Sequence, residues 1–258
     1  MDKDQLRKTV NGSGFPLQIA IEAQIKNQKS KHRWRVLFSE HSWVNTNTDS
    51  GGFIDLILEH EDHNAILIVE CKRVQNTHWI FLQEQVNPKS RRHIKPWITE
   101  ESGGKLQKFG WFDTAVDPES PESGFCVVPG QDSKSRPMLE RLASEVIEST
   151  EGFAVEDHYL HKGYLDYARY YFSAIVTTAD LMVCNFDPKS VAIETGEIDE
   201  ALFTNVPYIR FRKQLSSYKM PEASWKELTA HEIARQKENT VFIINASALV
   251  DFLSEFFD

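Results

Sequence analysis

From Pro16 to Gln28 apolar residues recur every three or four positions. Leu17, Ile21 and Ile25 form one stripe, which predicts a helix with Pro16 suited to its first position. At 100° per residue Glu22 falls between Ile25 and Ile19, so a carboxylate stands on a partly apolar side. After the basic link from Lys29 to Arg33, the run Trp34–Phe38 predicts a strand. Ser50-Gly51-Gly52 then punctuates the chain. Beyond it, Phe53–Leu58 and Ala65–Lys72 are β-rich runs either side of the polar His60–Asn64, the pattern of a hairpin.

Residues 74–137 lack a single period and are expected to be a mixed or irregular insertion. Its latter half, with Pro118, Pro121, Pro129 and Pro137, reads as loop. Leu139, Leu142, Ala143, Val146 and Ile147 then predict a helix over 138–149. A strand pair is expected at 172–177 and 181–186 with its turn at Thr178–Asp180, an edge strand at 207–211, a β-like run at 240–245 and an apolar helix from Ala246 to Phe257. The order helix, three strands, helix, strands predicts an α/β fold: a mixed central sheet flanked by helices, with an insertion after the third strand. We expect one elaborated domain over 1–258, with core motifs in 14–73, the insertion at about 74–137, and the rest of the core in 138–258.

The longest apolar stretches, such as Ala65–Val69, fall far short of the roughly 20 residues that a membrane span needs. The polar N-terminus has no secretory or transit pattern, so a cytoplasmic protein with no membrane partner is expected. Three cysteines, Cys71, Cys126 and Cys184, are too widely spaced for a zinc knuckle and read as reduced, buried thiols.

The net charge of −9 argues against a generic nucleic-acid coat, but it is unevenly spread. Residues 1–38 carry +5, while 39–150 and 151–258 each carry −7. A local basic excess between Val74 and Phe112 includes Arg91, Arg92, Lys95, Lys105 and Lys108, interleaved with Trp97 and Trp111. With Arg33 and Arg35 these are the candidate phosphate contacts.

The informative constellation is Asp55 followed fifteen positions later by Glu70-Cys71-Lys72. In a strand, Glu70 and Lys72 share one face and Cys71 takes the other. If the hairpin turns about Asp62 and His63, Asp55 opposes Glu70, with Cβ atoms about 5 Å apart. Two facing carboxylates repel unless a cation sits between them, and hard oxygen ligands suit Mg²⁺, with Mn²⁺ as a substitute. Lys72 could orient or deprotonate a water, or hold a phosphate oxygen. Glu22, from a helix stacked on that face, could complete the cluster directly or through water.

These residues resemble the PD-(D/E)XK nuclease superfamily, the restriction-endonuclease-like fold, whose core runs α-β-β-β-α-β. The matching positions are Glu22 in the first helix, Asp55 in Gly-Gly-Phe-Ile-Asp-Leu-Ile-Leu, and Glu70 and Lys72 in Ile-Leu-Ile-Val-Glu-Cys-Lys. Ile54 stands where the family's nominal Pro would precede Asp55, a departure common in the superfamily. The motifs cover about the first 73 residues, and Met138–Phe186 matches by element order. The resemblance implies catalytic Asp55, Glu70, Lys72 and Glu22. It implies metal ligation by Asp55, Glu70 and the backbone carbonyl of Cys71, with Lys72 assisting the attacking water.

The resulting expectation is an Mg²⁺-dependent endonuclease hydrolysing phosphodiesters in double-stranded DNA, by analogy a restriction or anti-phage defence enzyme with an unidentified defence partner. Cutting both strands calls for two sites, hence a homodimer. The rivals are an inactive nucleic-acid-binding or assembly module of the same fold, and a nuclease for RNA. Gly103-Gly104-Lys105 lacks phosphate-loop spacing, and His158 and His161 lack the Glu of a zincin, so neither adds a site.

Overall fold

The computed structural model describes residues 2–45, 49–84, 90–131, 136–161, 166–215 and 229–257. The chain opens with α1 (Lys3–Gly12), which buries no residue and which the apolar pattern left unassigned, and α2 (Phe15–Asn27). Gly14, between them, has φ 85°, a left-handed value that a residue without a Cβ adopts freely. Strands β1 (Trp34–Asn45), β2 (Ser50–His60) and β3 (Ala65–Lys72) form an antiparallel meander.

The region expected to be irregular is largely strand: β4 (His78–Glu84), β5 (Ser90–Ile94), β6 (Trp97–Ser102), β7 (Lys105–Trp111), β8 (Thr114–Ser123) and β9 (Cys126–Val127). Pro118 and Pro121 disguise β8. The strand tolerates them because it pairs with β5 through a bulge and meets its other neighbour only at Glu122 and Ser123. Next come α3 (Met138–His161), β10 (Tyr167–Thr177), β11 (Asp180–Phe186), the short β12 (Val191–Ala192) and β13 (Glu197–Ile198), and β14 (Leu202–Asn205). The chain closes with β15 (Tyr208–Gln214), α4 (Ala230–Lys237), β16 (Glu238–Asn245) and α5 (Leu249–Glu255).

The described residues build a mixed α/β fold on a ten-stranded sheet ordered β1-β2-β3-β10-β16-β15-β8-β5, with β6 joined to β10 and β7 to β6. β10 runs parallel to β3 on one side and β16 on the other, which makes the sheet mixed. A second sheet, β14-β11-β4-β9, lies beside it.

Two expectations are corrected here. β10 and β11 are joined by a tight turn but do not pair, because each finds parallel partners in a different sheet. The 207–211 strand is internal, between β16 and β8. Edge or centre is decided by the partners available, which a local pattern does not contain.

Side-chain alternation sorts the core into two layers. Ile57, Ile66, Ile68, Ile175 and Ile243 face α3 and the second sheet, where Trp79 and Phe81 join them. Leu56, Leu58, Leu67, Val69 and Phe242 face the other way, toward Ile21 and Ile25 of α2 and Phe252 of α5. Among the described residues no helix is long and apolar enough to cross a membrane.

Candidate active site

β3 is buried from Ala65 to Val69 and leaves the core at Glu70, Cys71 and Lys72, which are half-buried. β2 enters the core at the same level, where exposed Phe53 gives way to buried Ile54 and half-buried Asp55. The register Leu56↔Val69, Ile57↔Ile68 carries Asp55 directly opposite Glu70. That is the pairing the hairpin argument expects.

Asp55 Oδ2 accepts the Cys71 backbone N–H at 2.6 Å, locking the two strands at this point. Cys71 packs with the α2 layer, so Glu70 and Lys72 share the opposite face. Asp55, Glu70, Cys71, Lys72 and Arg73 line an open pocket of about 250 Å³, closed on one side by Gly12–Phe15 and Gln18.

The electrostatics follow from half-burial of like charges. Burial first, then the Asp55 charge and that of Glu145, push Glu70 up to about 8, against an opposing pull from Lys72. Asp55 is raised as well, mainly by burial, with the Glu40 charge adding and the Cys71 N–H and Lys72 opposing. Burial also raises the Cys71 thiol, which therefore stays protonated at neutral pH. Any part for Cys71 in ligation falls to its backbone carbonyl.

Glu22 does not join this cluster. α2 packs Ile21 and Ile25 on the Leu56–Val69 layer and reaches the pocket only through Phe15 and Gln18 of its first turn, while the Glu22 carboxylate is taken by Lys26 and by Ser39 Oγ at 3.0 Å. Hydrogen bonding from Lys26, opposed by some burial, holds its carboxyl below the usual range. The expectation that Glu22 completes the acidic cluster is thus corrected. α3 packs on the Ile57–Ile68 layer and brings the charge of Glu145 to bear on Glu70.

Two residues that the sequence did not single out belong to the site. The pairs Ser39↔Leu56 and His41↔Ile54 bracket Glu40 opposite Asp55, so Glu40, Asp55 and Glu70 occupy successive strands at one level. Glu40 has φ 53°, a left-handed conformation that costs a non-glycine residue about 1–3 kcal/mol and persists only where its surroundings hold it. Gln18 does the holding: its Nε2 donates to Glu40 Oε1 at 2.6 Å and to the Asp55 carbonyl at 3.0 Å. The sequence signal for Glu40 is its fifteen-residue spacing from Asp55, equal to that from Asp55 to Glu70.

The residues expected to contact phosphates do not form one track. Arg33 is paired with Glu61 and Asp62, and Arg35 with Glu59, at the far end of the β2–β3 hairpin. Glu59 lies four residues from Asp55, about 13 Å along the strand. Lys95 is buried, donating to the carbonyls of Arg235 and Gln236, and is unavailable to a nucleic acid. Arg92 pairs with Asp117 and Lys108 with Glu100, each at 2.9 Å. Arg91 and Lys105 are exposed without an ion pair among the described residues. Of the aromatics interleaved with these cations, Trp97 is buried and Trp111 half-buried. The cations lining the carboxylate pocket are Lys72 and Arg73.

Among the described residues no three His, Cys, Asp or Glu side chains converge as a ready-made metal cluster. The donor set nonetheless suits a hard divalent cation. Two facing carboxylates and a carbonyl are the small protein contribution that Mg²⁺ accepts, with waters and substrate oxygens filling the remainder. A scan against protein-family models, a search of the curated proteins and a search of the solved structures each returned no match.

Proposed function

We propose that this chain is a divalent-metal-dependent nuclease that hydrolyses phosphodiester bonds in double-stranded DNA, with Asp55, Glu70 and Lys72 as its catalytic residues. The observation that carries this reading is the cross-strand Asp55–Glu70 pair beside Lys72 in an open pocket, with Glu70 pushed up to about 8. Two half-buried carboxylates held face to face are unfavourable by themselves, and a bound cation turns that cost into affinity. The order α2, β1-β2-β3, α3, β10, with β10 parallel to β3, further supports the restriction-endonuclease-like assignment.

Asp55, Glu70 and the Cys71 carbonyl would hold Mg²⁺ or Mn²⁺. Such a cation, when bound, supplies Lewis-acid stabilisation of charge on the phosphoryl and leaving oxygens. Lys72, two residues beyond Glu70 on the same face, positions the attacking water and hydrogen-bonds a phosphate oxygen. Gln18 keeps Glu40 and the Asp55 backbone in place. Arg73 offers a second positive charge at the pocket wall for the incoming backbone.

The test is conversion of supercoiled plasmid to nicked and linear forms with Mg²⁺ and with EDTA, by the parent chain and by Asp55→Ala and Lys72→Ala. Loss of cleavage by at least about 100-fold in both variants and in EDTA is expected. Manganese binding followed by calorimetry should disappear in Asp55→Ala and persist in Lys72→Ala. Cleavage unaffected in both variants sinks the site assignment. Preferential digestion of labelled RNA in a parallel assay replaces DNA as the substrate.

A further inference from the structure

Toward the other edge of the sheet, two strands and one helix bring arginines together. Arg91 comes from β5, Arg212 from β15 and Arg235 from α4, and with His93, Glu122 and Glu238 they line an open cavity of about 360 Å³. β15 is the third strand from β3, about 14 Å across the sheet at roughly 4.8 Å per strand. This cavity shares no residue with the carboxylate pocket.

Arg212 is clamped from behind. Its Nε donates to Glu238 at 3.0 Å and its Nη2 to Asp113 at 3.3 Å, while Asp113 also meets His93 Nε2 at 3.0 Å. Nη1 of Arg212 is buried with no acceptor among the described residues. Arg91 and Arg235 are exposed and form no ion pair among the described residues. Guanidinium groups that merely solvate a sheet edge would splay apart into water, whereas these line one concavity. Planar donor forks arranged so are suited to the oxygens of a phosphate.

A second cavity, of about 280 Å³, adjoins at Glu122, which lines both. Its walls include Leu82, Phe186 and Phe125, and the Phe125 ring is 65% exposed despite its apolar character. Lys213 Nζ lies 5.4 Å from the centre of that ring. The Glu122 carboxylate accepts no hydrogen bond among the described residues; the contact from Gln83 goes to its backbone oxygen. Cationic wall, carboxylate and aromatic shelf therefore follow one another across the two adjoining cavities. That sequence matches phosphate, ribose diol and base.

We propose that these adjoining cavities form a binding site for a nucleoside 5′-phosphate. The phosphate lies among Arg91, Arg212 and Arg235, the ribose hydroxyls donate to Glu122, and the base rests against Phe125. The assignment does not depend on the nuclease reading and stands or falls separately from it.

The test is isothermal titration of the full chain with inorganic phosphate, the four ribonucleoside 5′-monophosphates and their deoxy counterparts. At least one ribonucleotide should bind tenfold or more tightly than phosphate. Arg91→Ala combined with Arg235→Ala should weaken both ligands at least tenfold. Phe125→Ala should remove the nucleotide's advantage and leave phosphate binding intact, and Glu122→Gln should narrow the preference for ribose over deoxyribose. All of these changes are made at exposed or half-buried side chains, and urea unfolding of each variant checks that the fold survives. No heat with any monophosphate at millimolar concentration overturns the proposal, as does binding that ignores the double arginine change. A short single-stranded DNA bound through Arg91 and Arg235 while mononucleotides fail also overturns it.

Discussion

Replacing Glu70 by Gln keeps the side chain's size and removes its charge. In the folded chain the Glu70 carboxyl is raised from 4.5 to about 8, chiefly by burial and the facing Asp55. A raised carboxyl contributes stability that is fully present below its unfolded value and is lost as pH climbs through the folded one. At pH 7 the group is ionised in the unfolded chain and protonated for the most part in the folded one. At 1.36 kcal/mol per unit between 4.5 and 7, that mismatch costs the native state about 3 kcal/mol. Glu70→Gln escapes this cost. Its advantage over the parent should be near zero at pH 4.5, reach about 3 kcal/mol at pH 7 and level off above pH 8. For a chain of this size each 1 kcal/mol moves the melting midpoint by roughly 2–4 °C, so the shift is easily measured. The assay is urea unfolding of both proteins with EDTA at pH 5, 6, 7 and 8. A pH-independent difference, or a variant less stable than its parent at pH 7, would refute the electrostatic argument. Adding Mg²⁺ should stabilise the parent and leave the variant nearly unchanged, if the paired carboxylates hold the ion.

Three further outcomes can be checked in the same way. Arg169 is buried between Glu59 and Asp157 Oδ2, the latter at 2.7 Å, so Arg169→Ala takes the shared buried cation from two buried carboxylates and should cost about 3 kcal/mol in urea unfolding, Arg35 and the Tyr171 hydroxyl remaining as partners. Burial pushes Glu59 up, but hydrogen bonds from Arg35 and His63 and the Arg169 charge hold it below 4.5. Its contribution is therefore present above pH 4.5 and lost as pH falls through the folded value, so the gap between Arg169→Ala and its parent should narrow in acid. In Gly152→Ala the added Cβ would lie 3.1 Å from both Trp43 Cε3 and the Val44 carbonyl, where α3 crosses β1. Overpacking of about 1–3 kcal/mol should outweigh the roughly 1 kcal/mol that Ala gains in a helix, and a raised urea midpoint would refute the contact.

What was legible in the sequence was what local periodicity encodes. The Asp55–Glu70 pairing came from a short hairpin whose polar tip is bounded by apolar runs, and a one-residue slip would have turned a whole strand's core residues to water. The helix at Met138 was also legible, although it continues to His161. Its later turns bury Thr150, Glu151, Asp157 and His158 against polar partners such as Ser173 and Arg169, which breaks the apolar stripe. β1 was cut short at Phe38 for a related reason. Ser39, Glu40 and His41 are polar because they meet Glu22 of α2, the site and Glu156 of α3 in turn, while the backbone continues to Asn45.

By itself, then, the sequence determined the meander, its register and the placing of two carboxylates and a lysine on one face. It did so because strand alternation and hairpin pairing act over fewer than twenty residues. Only the tertiary structure decided which helical residues reach that site. α2 presents Ile21 and Ile25 to the Leu56–Val69 layer and leaves Glu22 with Lys26 and Ser39, while α3 brings Glu145, and Gln18 with Glu40 closes the near end. The scattering of the basic residues was decided there too. A cation's neighbours come from strands far apart in the chain, as when Arg91, Arg212 and Arg235 meet at one cavity, and no local pattern records which strands lie side by side.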